Sequence, residues 1–340
     1  DLGNIVVIDG KNLSVAAQIK MGADPQVMVL NDKTKKIYVT HPTENIVAVI
    51  DTSQGKYPTK VIPVNGTPYS ITINKVTNKV YAVLAATKQV AVIDGATDTL
   101  LTTIDLGPRS SFPLVVSVNE KKNKVYIVNY GGDSIMAIDG EAQKVEKVIT
   151  VGEKPIWVRY HPELDQIYVS VEGDKKIVII NPNTYEIAQT FAIGAPPYRI
   201  LFDETVGLVY ITHRREKNVT VLKKQVEKME IVAEKELPFF GQLDAMPYNM
   251  LWRDRKANRY YFTSQTLNNL SVTEIRRDDQ QIMQLRLIAT ISAKGEITRF
   301  DPETGHVISV APGVPAKITI KRIYKWILAV VLTLLVFVGI

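Results

Sequence analysis

Short apolar runs recur along the chain and are separated by clusters of Asn, Asp, Gly and Lys. One run typically joins a β-branched residue to an aromatic residue, and its last two copies are degenerate. Seven copies occur: IYVT (37–40), VYAV (80–83), VYIV (125–128), IYVS (167–170), VYIT (209–212), YYFT (260–263) and VISV (307–310). β-Branched and aromatic runs of this length predict β-strands, and the polar clusters predict turns.

Two further elements accompany this run with the same multiplicity. Most copies of the first end in Asp or Asn: VVID (6–9), AVID (48–51), AVID (91–94), MAID (136–139), VIIN (178–181), VTVL (219–222) and LSVT (270–273). The other is an alternating segment that follows Pro25, Pro68, Pro113, Pro155, Pro197 and Pro247, with Gly295 in the seventh copy. Proline is tolerated at the start of a strand, where no ladder hydrogen bond is lost.

The spacing of the prolines, between 42 and 50 residues, provides four strand positions per repeat. Such a repeat predicts an all-β chain, a seven-bladed β-propeller over residues 1–316. The chain opens with VVID, so we expect the last blade to be closed by pairing N-terminal with C-terminal strands. The segment KITI (317–320) is interpreted as a linker strand, and a partial eighth blade is the alternative.

Stretches such as VYIVNYGGDSIMAID (125–139) resemble the YVTN family of β-propeller repeats. The resemblance is clear in the first five repeats and weak in the last two. It implies a seven-bladed fold in exported or surface proteins. It implies no particular activity, because the aromatic residue packs between blades and the Asp or Asn residue closes a turn.

The C-terminal segment 323–340 carries a single charge, Lys325, and is otherwise almost entirely apolar. About 18 helical residues span ~27 Å, close to the ~30 Å hydrocarbon core of a bilayer. The segment therefore predicts a single transmembrane helix that contacts lipid, preceded by a basic juxtamembrane linker at 317–322. The residues expected at the membrane interface are Lys321, Arg322, Tyr324, Lys325 and Trp326. A buried core helix is the alternative.

The orientation in the membrane rests on two opposing signals. Basic residues before the helix would place the propeller in the cytoplasm. The family resemblance, and a chain that begins at Asp1 rather than Met, favour the periplasm or cell surface. Large domains translocate largely regardless of such charges, so we expect an extracytoplasmic propeller and leave the cytoplasmic side open.

Charge and composition exclude several classes of partner and of chemical site. The net charge is +6, but no run of five basic residues is present, so nucleic acid is not an expected partner. The absence of cysteine excludes disulfides, thiolate catalysis and cysteine-bearing metal sites. The four histidines, His41, His161, His213 and His306, form no H-x-H or H-x-x-x-H pair, so no metal or cofactor is predicted.

Alternate residues of the proline-led strands are expected to line a central channel. On that face lie Trp157 and three arginines, Arg159, Arg199 and Arg299. Guanidinium groups without matching acids can hold an anion or the carboxylate of a partner. The alternative is a solvated channel in which the arginines pair with loop acids.

The sixth repeat is longer than the others and rich in aromatic residues and arginine, which are enriched at protein interfaces. Its candidate interface residues are Phe239, Phe240, Tyr248, Arg253 and Arg255. Ordinary sequence drift is the alternative. We find no catalytic motif, so an enzyme is the less favoured interpretation.

The sequence favours a membrane-anchored scaffold or accessory subunit that binds other subunits of a membrane complex. Two alternatives stay open. One is a ligand-binding or catalytic propeller, lactonase-like or quinoprotein-like, that uses the channel. The other is a surface adhesion protein.

Overall fold

The computed structural model describes residues 3–9, 14–204, 206–213, 218–225 and 228–236, together with the backbone of strands between 249 and 319. These residues divide into two compact units. One comprises residues 26–235, and the other comprises residues 1–25 with residues 236–340.

The strands are numbered in chain order. The first two are β1 (Gly3–Asp9) and β2 (Ser14–Gly22). They are followed by β3 (Met28–Asn31), β4 (Lys36–His41), β5 (Ile46–Asp51) and β6 (Thr59–Pro63). The next are β7 (Pro68–Asn74), β8 (Lys79–Leu84), β9 (Gln89–Asp94) and β10 (Thr99–Asp105). Then come β11 (Pro113–Asn119), β12 (Lys124–Asn129), a 3₁₀ turn (Tyr130–Gly132), β13 (Ser134–Asp139) and β14 (Lys144–Thr150).

The fourth and fifth groups follow the same order. They are β15 (Pro155–His161), β16 (Gln166–Val171), β17 (Lys176–Ile180) and β18 (Ile187–Ala192), then β19 (Pro197–Asp203), β20 (Leu208–His213), β21 (Asn218–Gln225) and β22 (Lys228–Glu236). The last strands are β23 (Asn249–Asp254), β24 (Arg259–Ser264), β25 (Asn269–Arg277) and β26 (Met283–Ser292), and β27 (Ile297–Phe300), β28 (His306–Pro312) and β29 (Lys317–Thr319).

Within residues 26–235 the strands form five four-stranded sheets, each ordered along the chain: β3–β6, β7–β10, β11–β14, β15–β18 and β19–β22. The strands that begin at Pro68, Pro113, Pro155 and Pro197 confirm the proline-led strand starts. The first strands of successive sheets contact one another. The last strands are largely exposed: in β6, for example, Thr59, Lys60 and Val61 are exposed and Ile62 is buried.

The core lies between neighbouring sheets and is built on the repeated aromatic residue. Tyr38, Tyr81, Tyr126, Tyr168 and Tyr210 are all fully buried. Tyr38, for example, packs in a cluster with Ile71 and Ile93 of the following sheet. The middle strands are therefore covered on both faces, which explains why their sequences are nearly continuous apolar runs.

The repeated acidic position closes the turn after the third strand. Asp94 accepts hydrogen bonds from the backbone N–H groups of Ala96 (2.7 Å) and Thr97 (3.0 Å). Asp139 does the same for Glu141 and Ala142, at 2.8 Å each. Asp94 and Asp139 therefore both close an Asx turn.

The other unit contains two sheets among its described strands. In the first, the order is β2–β1–β28–β27, and β1 pairs antiparallel with β28, with Gly3 opposite Pro312. This is the pairing of N-terminal and C-terminal strands that the order of the elements predicts. In the second, β23–β26 are extended by β29, whose Ile318 lies opposite Ile291. Residues 317–319 of the KITI segment are thus an edge strand of this sheet.

Candidate functional site

Loops meet at the end of the sheets where the first strands begin. We call this the loop face of residues 26–235, formed by segments 64–67, 106–112, 151–154 and 193–196 with the loops between second and third strands. Backbone hydrogen bonds join the two sets: Val64 N–H to Asn45 O (3.0 Å), Leu106 N–H to Lys88 O (3.1 Å) and Ile193 N–H to Lys175 O (2.9 Å). These bonds hold the loops against each other.

Arg159, one of the predicted channel residues, contacts the neighbouring strand β19. Its Nη1 donates to the carbonyl oxygen of Ile200 in β19 at 3.1 Å. Its guanidinium also lies 4.9 Å from the centre of the Phe202 ring. Arg159 therefore ties β15 to β19.

Ser70 and Ser117, in the first strands of earlier sheets, also bond to the first strand of the next sheet, as Arg159 does. Ser70 Oγ accepts from Val116 N–H at 3.4 Å, and Ser117 Oγ accepts from Tyr160 N–H at 3.1 Å. Each serine thus bonds to the backbone of the next first strand. Polar side chains at alternate positions of these strands link adjacent sheets, a role that the sequence did not reveal.

Arg199 has a different environment. Its guanidinium lies 4.4 Å from the centre of the Trp157 ring and 5.5 Å from that of Tyr198. The two rings are 6.1 Å apart and tilted by 51°. All three side chains are half-buried. The structure thus brings Trp157 and Arg199 together in a cation–π stack, which we call the Trp157–Arg199–Tyr198 stack.

A second aromatic group lies on the loop face. Phe112 contacts Tyr69 and Tyr130 edge to face, with ring centres 6.1 and 6.2 Å apart. Phe112 is 48% exposed and Tyr69 is 37% exposed. Edge-to-face contacts fix the relative orientation of such rings. We call these three residues the aromatic row.

The loop that carries Phe112 is pinned by a buried amide. Asn129 Oδ1 accepts from Ser111 N–H at 2.6 Å, and its Nδ2 donates to Arg109 O and Ser134 Oγ, both at 2.9 Å. A Cβ atom added at Gly132 would lie 2.1 Å from that Nδ2. Phe112 itself has a φ of 51°, a left-handed conformation that costs a non-glycine residue roughly 1–2 kcal/mol. The structure thus holds an exposed aromatic ring on a strained, tightly packed loop.

His161 and His213 make hydrogen bonds within the fold. His161 is buried, and its Nδ1 accepts from Leu164 N–H at 3.3 Å in the turn after β15. Burial, followed by the positive charge of Arg159, lowers the pKa of His161 to about 4. His213 Nε2 lies 2.9 Å from Thr220 Oγ1. Among the residues that the structure describes, no group of three His, Asp or Glu side chains could hold a metal ion.

The remaining predicted site residues fall outside the described side chains. Arg253 lies in β23 opposite Tyr260, and Arg299 lies in β27 opposite Ile308, with only their backbones described. The residues outside the described part of the chain are Phe239, Phe240, Tyr248, Arg255, Lys321, Arg322, Tyr324, Lys325 and Trp326. Over the part that is described, the structure contains no helix long and apolar enough to cross a membrane.

Comparison with known proteins identifies the fold. No family model and no curated protein sequence matches the chain. Among solved structures, a hydrazine synthase of Kuenenia stuttgartiensis matches with a TM-score of 0.66 and 13% identity over 88% of this chain and 96% of that chain. Virginiamycin B lyase of Staphylococcus aureus matches with a TM-score of 0.64 and 14% identity, over 85% and 95%.

The β-propeller domain of Cps50 (Swd1) from Myceliophteria thermophila matches with a TM-score of 0.62 and 10% identity, over 86% and 98%. Identities this low show the fold alone. The chain is therefore an all-β protein with a β-propeller fold. Its structural neighbours include both a lyase and a component of a larger assembly, the mitotic checkpoint complex.

Proposed function

We propose that this protein is a seven-bladed propeller of the YVTN-repeat type that acts as a membrane-anchored interaction subunit of a larger membrane complex. The observation that carries the proposal is the aromatic row, in which Phe112 is 48% exposed on a loop fixed by Asn129. The anchor is the apolar segment 323–340, and the propeller lies on the extracytoplasmic side.

The aromatic row has the properties of a protein-binding hot spot. A ring presented on a fixed loop loses little conformational entropy when a partner covers it. Aromatic residues dominate the binding energy of protein interfaces for this reason and because of the area they bury.

The Trp157–Arg199–Tyr198 stack supports the same assignment. Tryptophan, tyrosine and arginine are the residue types most enriched at hot spots, and all three occur together at the start of β15 and β19. The aromatic row and this stack both belong to the unit of residues 26–235.

The segment 323–340 supports the membrane anchor by its length and composition. A free propeller would gain nothing from an apolar stretch of this length, whereas a subunit of a membrane complex needs to stay next to its partners. A tether of this kind raises the effective concentration of the propeller near other membrane proteins.

The test is purification of the full-length protein from its native membrane in mild detergent, with mass spectrometry of the proteins that accompany it. Wild type is compared with Phe112→Ala and with Leu101→Ala, a matched control, because Leu101 is 49% exposed on the outer strand β10. We expect wild type and Leu101→Ala to retain a stoichiometric partner and Phe112→Ala to lose it. A wild-type protein that purifies alone, or a Phe112→Ala variant that retains its partner, contradicts the proposal.

A further inference from the structure

Arg199, near the start of β19, carries a positive charge that no described acid neutralises. Its guanidinium takes part in no ion pair among the described residues, and its Nε is buried there without a hydrogen-bond partner. The described contacts of the group are the aromatic rings of Trp157 and Tyr198. Stacking on aromatic rings orients a guanidinium through its flat face. It leaves the N–H donors at the edge of the group free to bind a ligand.

The local sequence offers no counter-charge. Segment 193–198, which leads into Arg199, contains no acidic residue. The nearest acid along the strand, Asp203, is four residues away, which is ~13 Å in an extended strand, and it is buried. The charge of Arg199 is therefore not compensated by an acid of its own strand.

Arg159 shows what a structural arginine looks like in the same fold. It occupies the alternate position of the preceding first strand, and it donates to a backbone carbonyl oxygen, Ile200 O, as well as stacking on Phe202. In the part of the chain that the structure describes, Arg199 makes no such side-chain hydrogen bond. The two arginines, which look equivalent in the sequence, therefore differ in what they leave available to a ligand.

We infer that Arg199, held between Trp157 and Tyr198, receives a carboxylate from an acidic side chain of the protein partner. This inference rests on the proposed interaction function and names the chemistry of one contact. A guanidinium fork matches a carboxylate in charge and in geometry. A single guanidinium neutralises only one of the two charges of a dianionic phosphate, which proteins usually hold with several basic groups or backbone N–H groups.

The inference is tested with the full-length protein in detergent. Trp157 fluorescence reports on the site, because the Arg199 guanidinium lies 4.4 Å from the centre of its ring. The other two tryptophans are removed in a Trp252→Phe, Trp326→Phe background, so that all tryptophan emission comes from Trp157. The probe is acetyl-tetraglutamate amide at low ionic strength. Acetyl-tetraglutamine amide and inorganic phosphate are titrated in parallel.

We expect a saturable change in Trp157 fluorescence with tetraglutamate, no saturable change with tetraglutamine, and weak or no response to phosphate. Arg199→Gln should weaken tetraglutamate binding by ~10- to 100-fold, the range for loss of a charged hydrogen-bonded pair. Arg159→Gln, the matched control, should bind within about threefold of the parent. No saturation with tetraglutamate, equal binding by Arg199→Gln, or tighter binding of phosphate overturns the inference.

Co-purification of the native partner separates failure of this inference from failure of the proposed function, and it does not need the tryptophan background. If Phe112→Ala loses the partner while Arg199→Gln retains it fully, the carboxylate contact is wrong and the interaction function stands. If Phe112→Ala also retains it, the proposed function fails. Loss in both variants, with retention in Arg159→Gln, supports the contact.

Discussion

The hydroxyl of Tyr38 donates a hydrogen bond of 2.6 Å to the carboxylate of Asp98, across the boundary between two sheets. Tyr38 lies in β4, and Asp98 lies in the turn between β9 and β10. The same hydroxyl lies 3.2 Å from the carbonyl oxygen of Gly95. Tyr81 occupies the same place in the next repeat, but its buried hydroxyl has no partner among the described residues.

This difference predicts opposite results for one substitution at two equivalent positions. Tyr38→Phe should lower the free energy of unfolding by about 1–2 kcal/mol, because it removes a hydrogen bond to a carboxylate, although Asp98 keeps its contact with Lys36 Nζ at 2.7 Å. Tyr81→Phe should leave it unchanged within about 0.5 kcal/mol, or raise it, because it removes an unpaired buried hydroxyl. Urea denaturation followed by circular dichroism measures both. Equal losses in the two variants would show that the Tyr38–Asp98 bond contributes nothing specific.

His161 predicts that stability depends on pH. Its pKa is lowered to about 4 in the folded protein, so between pH 6.5 and pH 4 the unfolded chain binds the proton more readily. Stability should therefore fall as the pH drops through this window, by up to ~3 kcal/mol. Denaturation midpoints measured between pH 7.5 and pH 4 give this slope.

His161→Asn is the matched variant, because Asn31, Asn74 and Asn119 occupy the equivalent position at the ends of earlier first strands. Asparagine can accept the hydrogen bond of the turn without titrating. The variant should lose the contribution of His161 to the slope, while carboxylates elsewhere keep theirs. An unchanged slope in His161→Asn would assign the pH dependence to other groups.

Gly132 tests whether a fixed loop is what makes Phe112 available. A methyl group at Gly132 would collide with the amide of Asn129, which holds the loop that carries Phe112. Gly132→Ala should therefore reduce partner capture although it leaves the three rings unchanged. Gly55→Ala is the control, because a Cβ there meets nothing within 4 Å. Co-purification that survives in Gly132→Ala would mean that the presentation of Phe112 is unimportant.

Much of the fold could be predicted from the repeat. The repeated tyrosines and turn-closing aspartates recur every 42–45 residues. Tyr38 and Tyr126 pack against their own sheet and the next copy of the same repeat. The pairing of β1 with β28 followed from the order of the elements alone. The tyrosine and aspartate positions repeat, so several copies support each of those two predictions.

The candidate site could not be predicted in the same way. Phe112 belongs to a loop rather than to a repeated strand position, and its neighbours Tyr69 and Tyr130 come from β7 and from the 3₁₀ turn after β12. Trp157 and Arg199 were both singled out, but their contact depends on two adjacent sheets and on side-chain direction. The hydrogen bond from Arg159 to the carbonyl oxygen of Ile200 likewise could not be predicted from the sequence.

The central claim is that Phe112 and its neighbours form the contact with a protein partner. It is tested most directly by placing the photoreactive residue benzoyl-phenylalanine at position 112, and separately at the equally exposed position 101, in the full-length protein. Both proteins are irradiated in the native membrane and their adducts identified by mass spectrometry. We predict a defined covalent adduct with one partner protein from position 112 and none from position 101. No adduct from position 112, or the same pattern from both positions, would contradict the claim.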